Sequence, residues 1–207
     1  MKTRERILQT SLRLFNENGE PTVTTNHIAD EMDISPGNLY YHFRNKDDII
    51  YFLFIQFEQQ ISEVLEAPQS RALNMEDMWL YLHLVFESIW RYRFLYRDLD
   101  NILTRNRKIR LRFRRILDRK VRTAITICKG LVDAGIMDAS LEEIDALSNN
   151  IAVIATYWLN FQRVRVENRS NDGDIGRGVY QVITLVSPFL VDEMRDLLNK
   201  LSHDYLD

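Results

Sequence analysis

Hydrophobic residues recur every three or four positions along most of the chain, which is the spacing of an amphipathic α-helix. The first such stretch predicts a helix from Thr3 to about Asn18, ended by Gly19, with an inward face formed by Ile7, Leu8, Ser11, Leu12 and Phe15. No stretch of useful length shows the alternation of apolar and polar residues that is typical of a β-strand. The pattern therefore predicts an all-α fold of about nine helices.

The stretch over residues 24–46 predicts two short helices joined by a tight turn. Thr24 or Thr25 can cap the first helix, because a threonine oxygen accepts one of the unpaired N–H groups of the first turn. Ser35 can cap the second helix, with Pro36 at its first position, where no N–H group is needed. Two helices joined by so short a turn form a helix-turn-helix, whose second helix enters the major groove of DNA.

Beyond these two helices the pattern predicts a body of longer helices. One runs over about residues 46–65 and is apolar on two sides, so we expect it to pack against two neighbours. Further helices are predicted over Met75–Leu95, Asn106–Ala134, Leu141–Arg165 and Val179–Leu201. They are separated by a break at Pro68, a linking segment at Tyr96–Thr104 and a glycine-rich loop at 167–178. Pro188 is expected to kink the last helix.

The helix-turn-helix stretch also matches a known signature. Its segments TT-x-x-IA and DIS-x-GNLYYHF-x-x-K, within a match over residues 6–50, resemble the DNA-binding signature of the TetR family (TetR/AcrR-like) of transcriptional regulators. The resemblance implies that Tyr40 and Tyr41 touch the DNA backbone or thymine methyl groups. It also implies that His42 and Lys46 bind phosphate.

The second short helix carries side chains suited to reading DNA. Asn38 can hydrogen-bond an adenine edge, while Ser35 and the N–H groups at the helix start can hold a phosphate. Gly37 lacks a side chain and lets the helix come close to the DNA. Tyr41 has an alternative interpretation, in which it packs partly in the small core. By the family resemblance Thr25 also contacts phosphate, and the predicted DNA-binding set is Thr24, Thr25, Ser35, Pro36, Gly37, Asn38, Tyr40, Tyr41, His42 and Lys46.

Composition favours a globular chain but weakens a simple electrostatic argument for DNA. The 207 residues are 45% hydrophobic and 28% charged, with a net charge of −3, and residues 1–50 carry six basic against eight acidic side chains. The segment from Ile34 to Lys46 contains no acid, and local placement decides because salt screens distant charges. The single Cys128 allows no intramolecular disulfide, and no apolar run reaches the ~20 residues of a membrane span. We therefore expect a soluble, cytoplasmic protein without a membrane partner.

Aromatic residues are abundant in the predicted body. A pocket lined by them would suit a bulky apolar ligand with a few polar handles such as His83 and Tyr157. The alternative is a solid aromatic core without a cavity. The predicted ligand-binding set is Phe57, Trp79, His83, Phe86, Trp90, Phe113, Tyr157 and Phe161.

The last two predicted helices carry more apolar surface than one chain can use. Two such helices from each of two chains would form a four-helix bundle, so we predict a homodimer. The alternative is that these helices are deeply buried in a monomer. The predicted dimer residues are Ile151, Ile154, Trp158, Val182, Val186, Phe189, Leu190 and Met194.

Residues 105–122 contain ten basic residues in eighteen. Because the apolar stripe of the helix continues through them, most should lie on its outer face. Three interpretations remain open for this basic run. It is a solvated face, a cradle for an anionic group of a ligand, or an accessory contact to DNA or protein.

Sequence motifs give little support for catalysis, a metal or a cofactor. The motif HExxH is absent, and His83 with Glu87 has no second pair to complete a metal site. We therefore predict a DNA-binding domain over residues 1–47, linked by the helix at 46–65 to a ligand-binding and dimerisation domain over residues 48–207. The function predicted is a repressor that leaves a palindromic double-stranded DNA operator when a small apolar or acyl-type effector binds. The alternatives are a DNA-binding adaptor that acts through a protein partner and a helical carrier or enzyme for an apolar substrate.

Overall fold

A computed structural model of the chain describes residues 2–66, 74–165, 174–195 and Leu198. Over these residues it contains ten α-helices, a further short helical stretch at 192–195 and no β-strand, apart from one isolated antiparallel bridge between Met137 and Leu190. The predicted all-α fold class is confirmed. In this part of the chain no helix is both long enough and apolar enough to cross a membrane.

The helices begin and end close to the positions that their capping residues indicate. The first five are α1 (Thr3–Asn18), α2 (Thr25–Glu31), α3 (Pro36–His42), α4 (Lys46–Val64) and α5 (Met75–Arg91). The other five are α6 (Arg93–Arg97), α7 (Leu99–Arg105), α8 (Arg107–Asp133), α9 (Leu141–Arg165) and α10 (Asp174–Val186). Short 3-10 turns lie at Glu20–Thr22 and Ser187–Phe189. The predicted break at Pro68 lies outside the described residues.

The chain forms two compact units, each discontinuous in sequence. Unit 1 comprises Met1–Gln60 and Arg91–Arg114, and unit 2 comprises Ile61–Trp90 and Arg115–Asp207. The predicted division into a DNA-binding domain over residues 1–47 and a second domain over residues 48–207 stays a prediction.

The core of unit 1 joins the N-terminal helices to α6 through aromatic rings. Phe15 of α1 packs against Phe94 of α6 with ring centroids 5.2 Å apart. Tyr96 lies between Phe57 of α4 and Phe113 of α8, at centroid distances of 5.7 and 5.8 Å. All five rings are almost completely buried. Aromatic burial of this kind is among the largest apolar contributions to stability that side chains make.

Polar contacts at the end of α1 fix the same arrangement. The Asn16 side chain donates to the carbonyl of Arg91 at 2.9 Å and accepts from the backbone N–H of Phe94 at 3.1 Å. Arg97 donates to the carbonyl of Asn16 at 3.1 Å. These bonds satisfy backbone groups at a helix end that would otherwise be buried without partners.

Two predicted boundaries in this region were wrong. The fifth helix ends at Arg91 rather than Leu95, and the predicted linking segment at Tyr96–Thr104 is largely helical, as the end of α6 and most of α7. The segment is predicted only as a short connection between two longer helices. Leu99 and Ile102 are nevertheless buried in unit 1, and tertiary packing of this face stabilises so short a helix.

Unit 2 is built around the packing of α9 against α10. Gly178 lies where these helices meet α5, and a Cβ atom at this position would overlap the ring of Phe86 and lie 2.8 Å from Cδ1 of Trp158. Glycine therefore permits the close approach. The predicted loop at 167–178 was partly wrong, because α10 already begins at Asp174.

The last predicted helix, Val179–Leu201, does not continue through Pro188 with a kink. It ends at Val186, the chain passes through a 3-10 turn, and residues 192–195 are helical again. The backbone then pairs with the connection between α8 and α9: Asp138 N donates to Phe189 O at 2.8 Å, and Val191 N donates to Ile136 O at 3.1 Å. Because proline has no N–H, Pro188 cannot donate the next hydrogen bond of the helix. Backbone hydrogen bonds to the α8–α9 connection hold the chain here instead.

Candidate functional site

The first helix of the predicted DNA-reading pair, α2, is capped at its N-terminus by two reciprocal hydrogen bonds. The Thr24 hydroxyl accepts from the backbone N–H of His27 at 3.2 Å, and His27 Nδ1 accepts from the backbone N–H of Thr24 at 3.4 Å. This is a capping box with histidine in place of the usual Glu or Gln. Of the two threonines considered from the sequence, Thr24 is therefore the cap and Thr25 the first helical residue.

The turn after α2 places the second helix. Asp33 adopts a positive φ of 53°, which is uncommon outside glycine but tolerated by Asp. Ser35 then caps α3 by accepting from the backbone N–H of Asn38 at 3.2 Å, with Pro36 in the first helical position. The cap positions follow from the sequence, but the left-handed residue in the turn was not foreseen.

α3 presents its polar face to the outside. Leu39 and Phe43 are buried and hold the helix on unit 1. The predicted residues at its start, Ser35, Pro36, Gly37 and Asn38, are all exposed. Tyr41 is 85% exposed, so the alternative in which it packs in the core is excluded.

Tyr40 is held in place from the neighbouring helix. Its hydroxyl lies 3.0 Å from the Thr25 hydroxyl, within hydrogen-bond distance. The next two side chains also contact each other, with the Tyr41 and His42 rings edge to face at 5.1 Å. Thr25 and Tyr40 were each predicted to contact DNA. Their hydroxyl groups thus lie side by side on the surface, within hydrogen-bond distance of each other.

Gly37 has no structural reason to be glycine. Its φ is not in the left-handed region, and a Cβ atom built on it would meet only Ser35 Oγ, at an ordinary 3.9 Å. A glycine inside a helix destabilises it by about 1 kcal/mol relative to alanine. The open space on this side of α3 is consistent with close approach of another molecule.

Lys46 points into the chain rather than out of it. Its ammonium donates to the carbonyls of Glu20 at 2.9 Å and Val23 at 3.0 Å, and pairs with the Glu20 carboxylate at 2.8 Å. These oxygens match its three N–H donors. We therefore revise the interpretation of Lys46 as a phosphate ligand: in this geometry it secures the turn between α1 and α2.

Glu20 is the centre of this network. Its side chain is completely buried and also pairs with Arg105 of α7 at 3.0 Å, while Arg105 contacts Asp47 at 3.1 Å. Burial of a carboxylate is tolerated only where it is paired and hydrogen-bonded. No local sequence pattern indicates this cluster, because its members are far apart along the chain.

Arg4 of α1 lies against the C-terminal end of α3. Its guanidinium carbon is 4.9 Å from the ring centroid of Phe43 and 4.1 Å from that of Phe52. A cation over aromatic faces is held by the ring quadrupole. α1 thereby contributes a fixed positive charge close to the end of α3.

This capped pair of helices with an exposed polar face agrees with the comparisons with known proteins. Residues 7–50 match a family model described as "Bacterial regulatory proteins, tetR family", and residues 56–198 match one described as "Bacterial transcriptional repressor". The chain belongs to the TetR family. It is a transcriptional regulator of that family.

Solved TetR-family structures and curated relatives agree with this assignment. A TetR-family regulator from Marinobacter aquaeolei VT8 is 40% identical, with 99% of each chain covered and a TM-score of 0.90. A regulator from Saccharomonospora viridis, solved with choline, shares the fold at 20% identity and a TM-score of 0.68, covering 91% of this chain and 97% of that one. The probable regulator YttP of Bacillus subtilis is 26% identical over 105 residues, which span 51% of this chain and 50% of that protein.

The predicted ligand residues of this TetR-family chain fall into three groups. Phe57 and Phe113 are part of the solid aromatic core of unit 1. A second group, on α5 in unit 2, comprises Trp79, His83, Phe86 and Trp90, with the Trp79 and His83 rings stacked at 5.3 Å. Tyr157 and Phe161 are 46% and 49% exposed on α9. Two of the eight residues thus belong to unit 1 and six to unit 2, and the ligand-binding set stays a prediction.

The predicted dimer residues differ in their exposure. Five of them are buried within the single chain, namely Ile151, Trp158, Val182, Val186 and Leu190, while Ile154, Phe189 and Met194 are partly exposed. The apolar stripe that α9 leaves exposed is instead formed by Val153, Tyr157, Phe161 and Val164. The assignment of the dimer residues stays a prediction, because hydrophobic periodicity alone does not tell which of two apolar faces packs within the chain itself.

The basic run divides into an outer and an inner part. Arg112 pairs with Glu58, and Arg119 lies 3.8 Å from Glu66. The arginines at 107, 110, 114 and 115 are exposed, as expected for a solvated face. Lys120, in contrast, is only 3% exposed, and burial lowers its pKa to about 7.

Other polar groups are buried near the middle of unit 2. Burial raises the pKa of the Cys128 thiol to about 11, against a smaller lowering by the Ser148 hydroxyl. Burial likewise raises the pKa of the Tyr81 phenol, with a further contribution from Cys128. Cys128 is thus a protonated, buried thiol, which agrees with a packing role. His83 Nδ1, Ser148 Oγ and Thr156 Oγ1, all in unit 2, are among the buried side-chain atoms of the described residues that have no hydrogen-bond partner.

Proposed function

We propose that this TetR-family regulator is a repressor that binds a palindromic DNA operator as a homodimer and leaves it when a small molecule binds. The observation that carries the proposal is the outer face of α3. The helix is capped by Ser35, and its outer face is exposed and free of acidic residues. It also contains Gly37, a glycine that the fold does not require. A helix with these properties suits insertion into the major groove of DNA.

The individual contacts follow from the chemistry of this face. Asn38 offers an amide that can bond an adenine edge, and Ser35 with the first N–H groups of α3 can hold a phosphate. Tyr40, held by Thr25, and the exposed Tyr41 offer hydroxyl groups and ring surface to the backbone or to thymine methyl groups. Thr24 and His42 flank these residues, while Lys46 acts indirectly by fixing the turn before α2.

One such helix reads only a few base pairs, so specificity requires a second copy. We assign the dimer surface to the exposed stripe of α9, formed by Val153, Tyr157, Phe161 and Val164. The outward side of α10, with Gln181 and Thr184 exposed, is the second helix for a four-helix bundle. In such a dimer the two α3 helices would lie about one turn of DNA, ~34–36 Å, apart.

Release by an effector requires only that the ligand binds better to the form that does not fit the operator. We place the effector in unit 2, against α5, where Trp79, His83 and Phe86 offer aromatic surface and a polar atom without a partner. The Saccharomonospora viridis structure contains choline, so a protein of this fold does take a small molecule. A coupling of about 1–3 kcal/mol would be sufficient.

Selection of bound DNA from a random pool tests the proposal. The wild-type protein should enrich an inverted repeat, and repeating the selection with a metabolite extract should reduce the yield. Asn38→Ala should weaken binding to the selected DNA by about 10–100-fold, because a bidentate base contact contributes 1–3 kcal/mol. Gln9→Ala, exposed on α1, is the matched control and should bind as wild type does. The proposal fails if no sequence is enriched or if both variants behave alike.

A further inference from the structure

Arg4 of α1 is held in place by two aromatic rings. Its guanidinium carbon lies 4.1 Å from the ring centroid of Phe52 and 4.9 Å from that of Phe43. Phe43 is buried at the C-terminal end of α3, and the Phe52 ring contacts it edge to face, with centroids 5.8 Å apart. Because the Phe52 ring is 36% exposed, the guanidinium over it lies at the surface of unit 1.

The N–H groups of Arg4 are available to a further partner. In the part of the chain that the structure describes, no carboxylate forms an ion pair with Arg4 and no oxygen accepts from its side chain. Asp48, four residues before Phe52 on α4, accepts instead from the backbone N–H of Arg44 at 3.2 Å. A guanidinium carries five N–H donors, and two of them together can bind two oxygens of a phosphate.

The end of α3 beside Arg4 needs a positive charge if it is to meet DNA. A recognition helix with its N-terminal residues on the bases brings its other end toward the phosphates that border the groove. The C-terminal end of a helix carries a partial negative charge, which repels a phosphate. Lys46 does not offset this repulsion, because its ammonium already contacts three oxygens of Glu20 and Val23.

We propose that Arg4 binds a backbone phosphate of the operator at the C-terminal end of α3, and that Phe52 is its positioning residue. The inference rests on the proposed function, in which α3 enters the major groove. A side chain that is already ordered by two rings loses less freedom on binding, so the contact is preorganised. Arg44 is exposed near the same helix end, but among the described residues no ring or carboxylate holds its side chain.

The salt dependence of binding to the selected DNA tests this contact. Each phosphate that a protein neutralises adds about 0.9 to the slope of log K against log salt concentration. Arg4→Met should therefore weaken binding by about 10-fold or more and lower the slope by about 0.9 for each subunit. Arg6→Met removes an exposed cation of the same helix and should leave both nearly unchanged. An unchanged slope in Arg4→Met, or an equal reduction in Arg6→Met, would overturn the proposal.

Uncharged phosphates in the DNA locate the contact. Each phosphate of the selected duplex is replaced in turn by a methylphosphonate, and gel retardation gives the affinity. One replacement in each half-site should weaken binding of the wild type but have little further effect on Arg4→Met, because both changes remove the same contact. A general loss of stability cannot produce this pattern. Losses that add at every position would contradict the assignment.

The role of Phe52 is tested in the same assay. Phe52→Leu keeps an apolar side chain but removes the ring, and it should weaken binding by about 3-fold without changing the salt slope, since Arg4 keeps its charge. In the Arg4→Met background the same substitution should have no further effect on DNA binding. Additive losses would show that Phe52 does not act through Arg4.

A third variant keeps the proposal testable if Arg4→Met does not fold. Arg4→Lys retains the charge but not the bidentate geometry, so it should keep the salt slope and bind the selected DNA more weakly. Affinity equal to that of the wild type would overturn the bidentate contact. If the wild type selects no DNA, the proposed function itself fails. If it selects DNA and the slope of Arg4→Met is unchanged, only the role of Arg4 fails.

Discussion

The side-chain oxygens of Thr25 and Tyr40 lie 3.0 Å apart, and this bond joins α2 to the face of α3 that we assign to DNA. We predict that Tyr40→Phe and Thr25→Val each destabilise the fold by about 0.5–1.5 kcal/mol, the usual net contribution of a hydrogen bond. Because the two groups share one bond, the double variant should be hardly less stable than either single one. Urea unfolding of all four proteins measures this, and fully additive losses would mean that the bond contributes nothing.

Glycine at position 37 should lower the stability of the fold while permitting tighter binding to DNA. Gly37→Ala is expected to stabilise the fold by up to about 1 kcal/mol, because alanine favours the helix and its methyl group meets no neighbour closer than 3.9 Å. The same methyl group should weaken binding to the selected DNA by about 10-fold or more, as it occupies the surface of closest approach. Thermal unfolding and gel retardation give the two readouts.

Gly178→Ala is the contrasting variant. A Cβ atom there overlaps Phe86 and Trp158, so this substitution should destabilise the fold by about 1–3 kcal/mol through overpacking. Equal behaviour of the two glycine variants in thermal unfolding would contradict the assignment of Gly37 to DNA approach.

The buried carboxylate of Glu20 should contribute strongly to stability. Glu20→Gln removes the negative charge between Lys46 and Arg105, and breaking a buried ion pair from one side costs about 3–5 kcal/mol. The value should fall toward the lower end, because both cations are partly exposed. Glu17→Gln removes an exposed partner of Arg13 and should change the free energy of unfolding by less than about 1 kcal/mol. Similar losses for both variants in urea unfolding would contradict the central role of Glu20.

Stability should depend on pH through Lys120. Its pKa is about 7 in the folded chain and near its ordinary 10.5 when unfolded, so between these values the unfolded chain binds more protons. The free energy of unfolding should therefore rise with pH above 7, by at most about 1.4 kcal/mol per pH unit. The range of pH 7–8.5 is suitable, because Cys128 has a raised pKa and opposes the effect at higher pH. In Lys120→Met this contribution should be absent, and identical pH profiles for the two proteins would refute the prediction.

Charge placed on the exposed stripe of α9 should separate the subunits. The double variant Tyr157→Glu and Phe161→Glu replaces two half-exposed rings by like charges that would face each other in the dimer. We expect a folded monomer with little affinity for the palindromic DNA, measured by analytical ultracentrifugation and gel retardation. Leu111→Glu, at an equally exposed apolar position on α8, is the control and should remain dimeric. A dimer in both cases would place the interface elsewhere.

Local signals predicted much of the fold. The bounds of α1 and α9 agree with the hydrophobic periodicity, and Ser35 with Pro36 fixed the start of α3. These features depend on residues a few positions apart, which a single sequence displays directly. The family resemblance confirmed by the comparisons rests on the same short stretch.

Interactions between distant parts of the chain were not predictable in this way. α7 is helical because Leu99 and Ile102 are buried in unit 1, and Lys46 turns inward because Glu20 and Val23 offer it oxygens. Lys120 is placed on the apolar stripe of α8 by its spacing from Ile116 and Ala124, but its burial depends on what packs against that stripe. Periodicity indicates that a helix has a buried face, but the partner of that face is set by tertiary packing.

The polar joint around Asn16 and Glu20 has a consequence for exchanging specificity between related regulators. A chimera that grafts only residues 1–47 onto a foreign body would separate these two side chains from the carbonyl of Arg91, the N–H of Phe94 and the guanidinium of Arg105. Transplantation should succeed only when residues 91–105 travel with the N-terminal helices. The part of the chain that can be transferred between regulators thus consists of two segments that are separated in sequence.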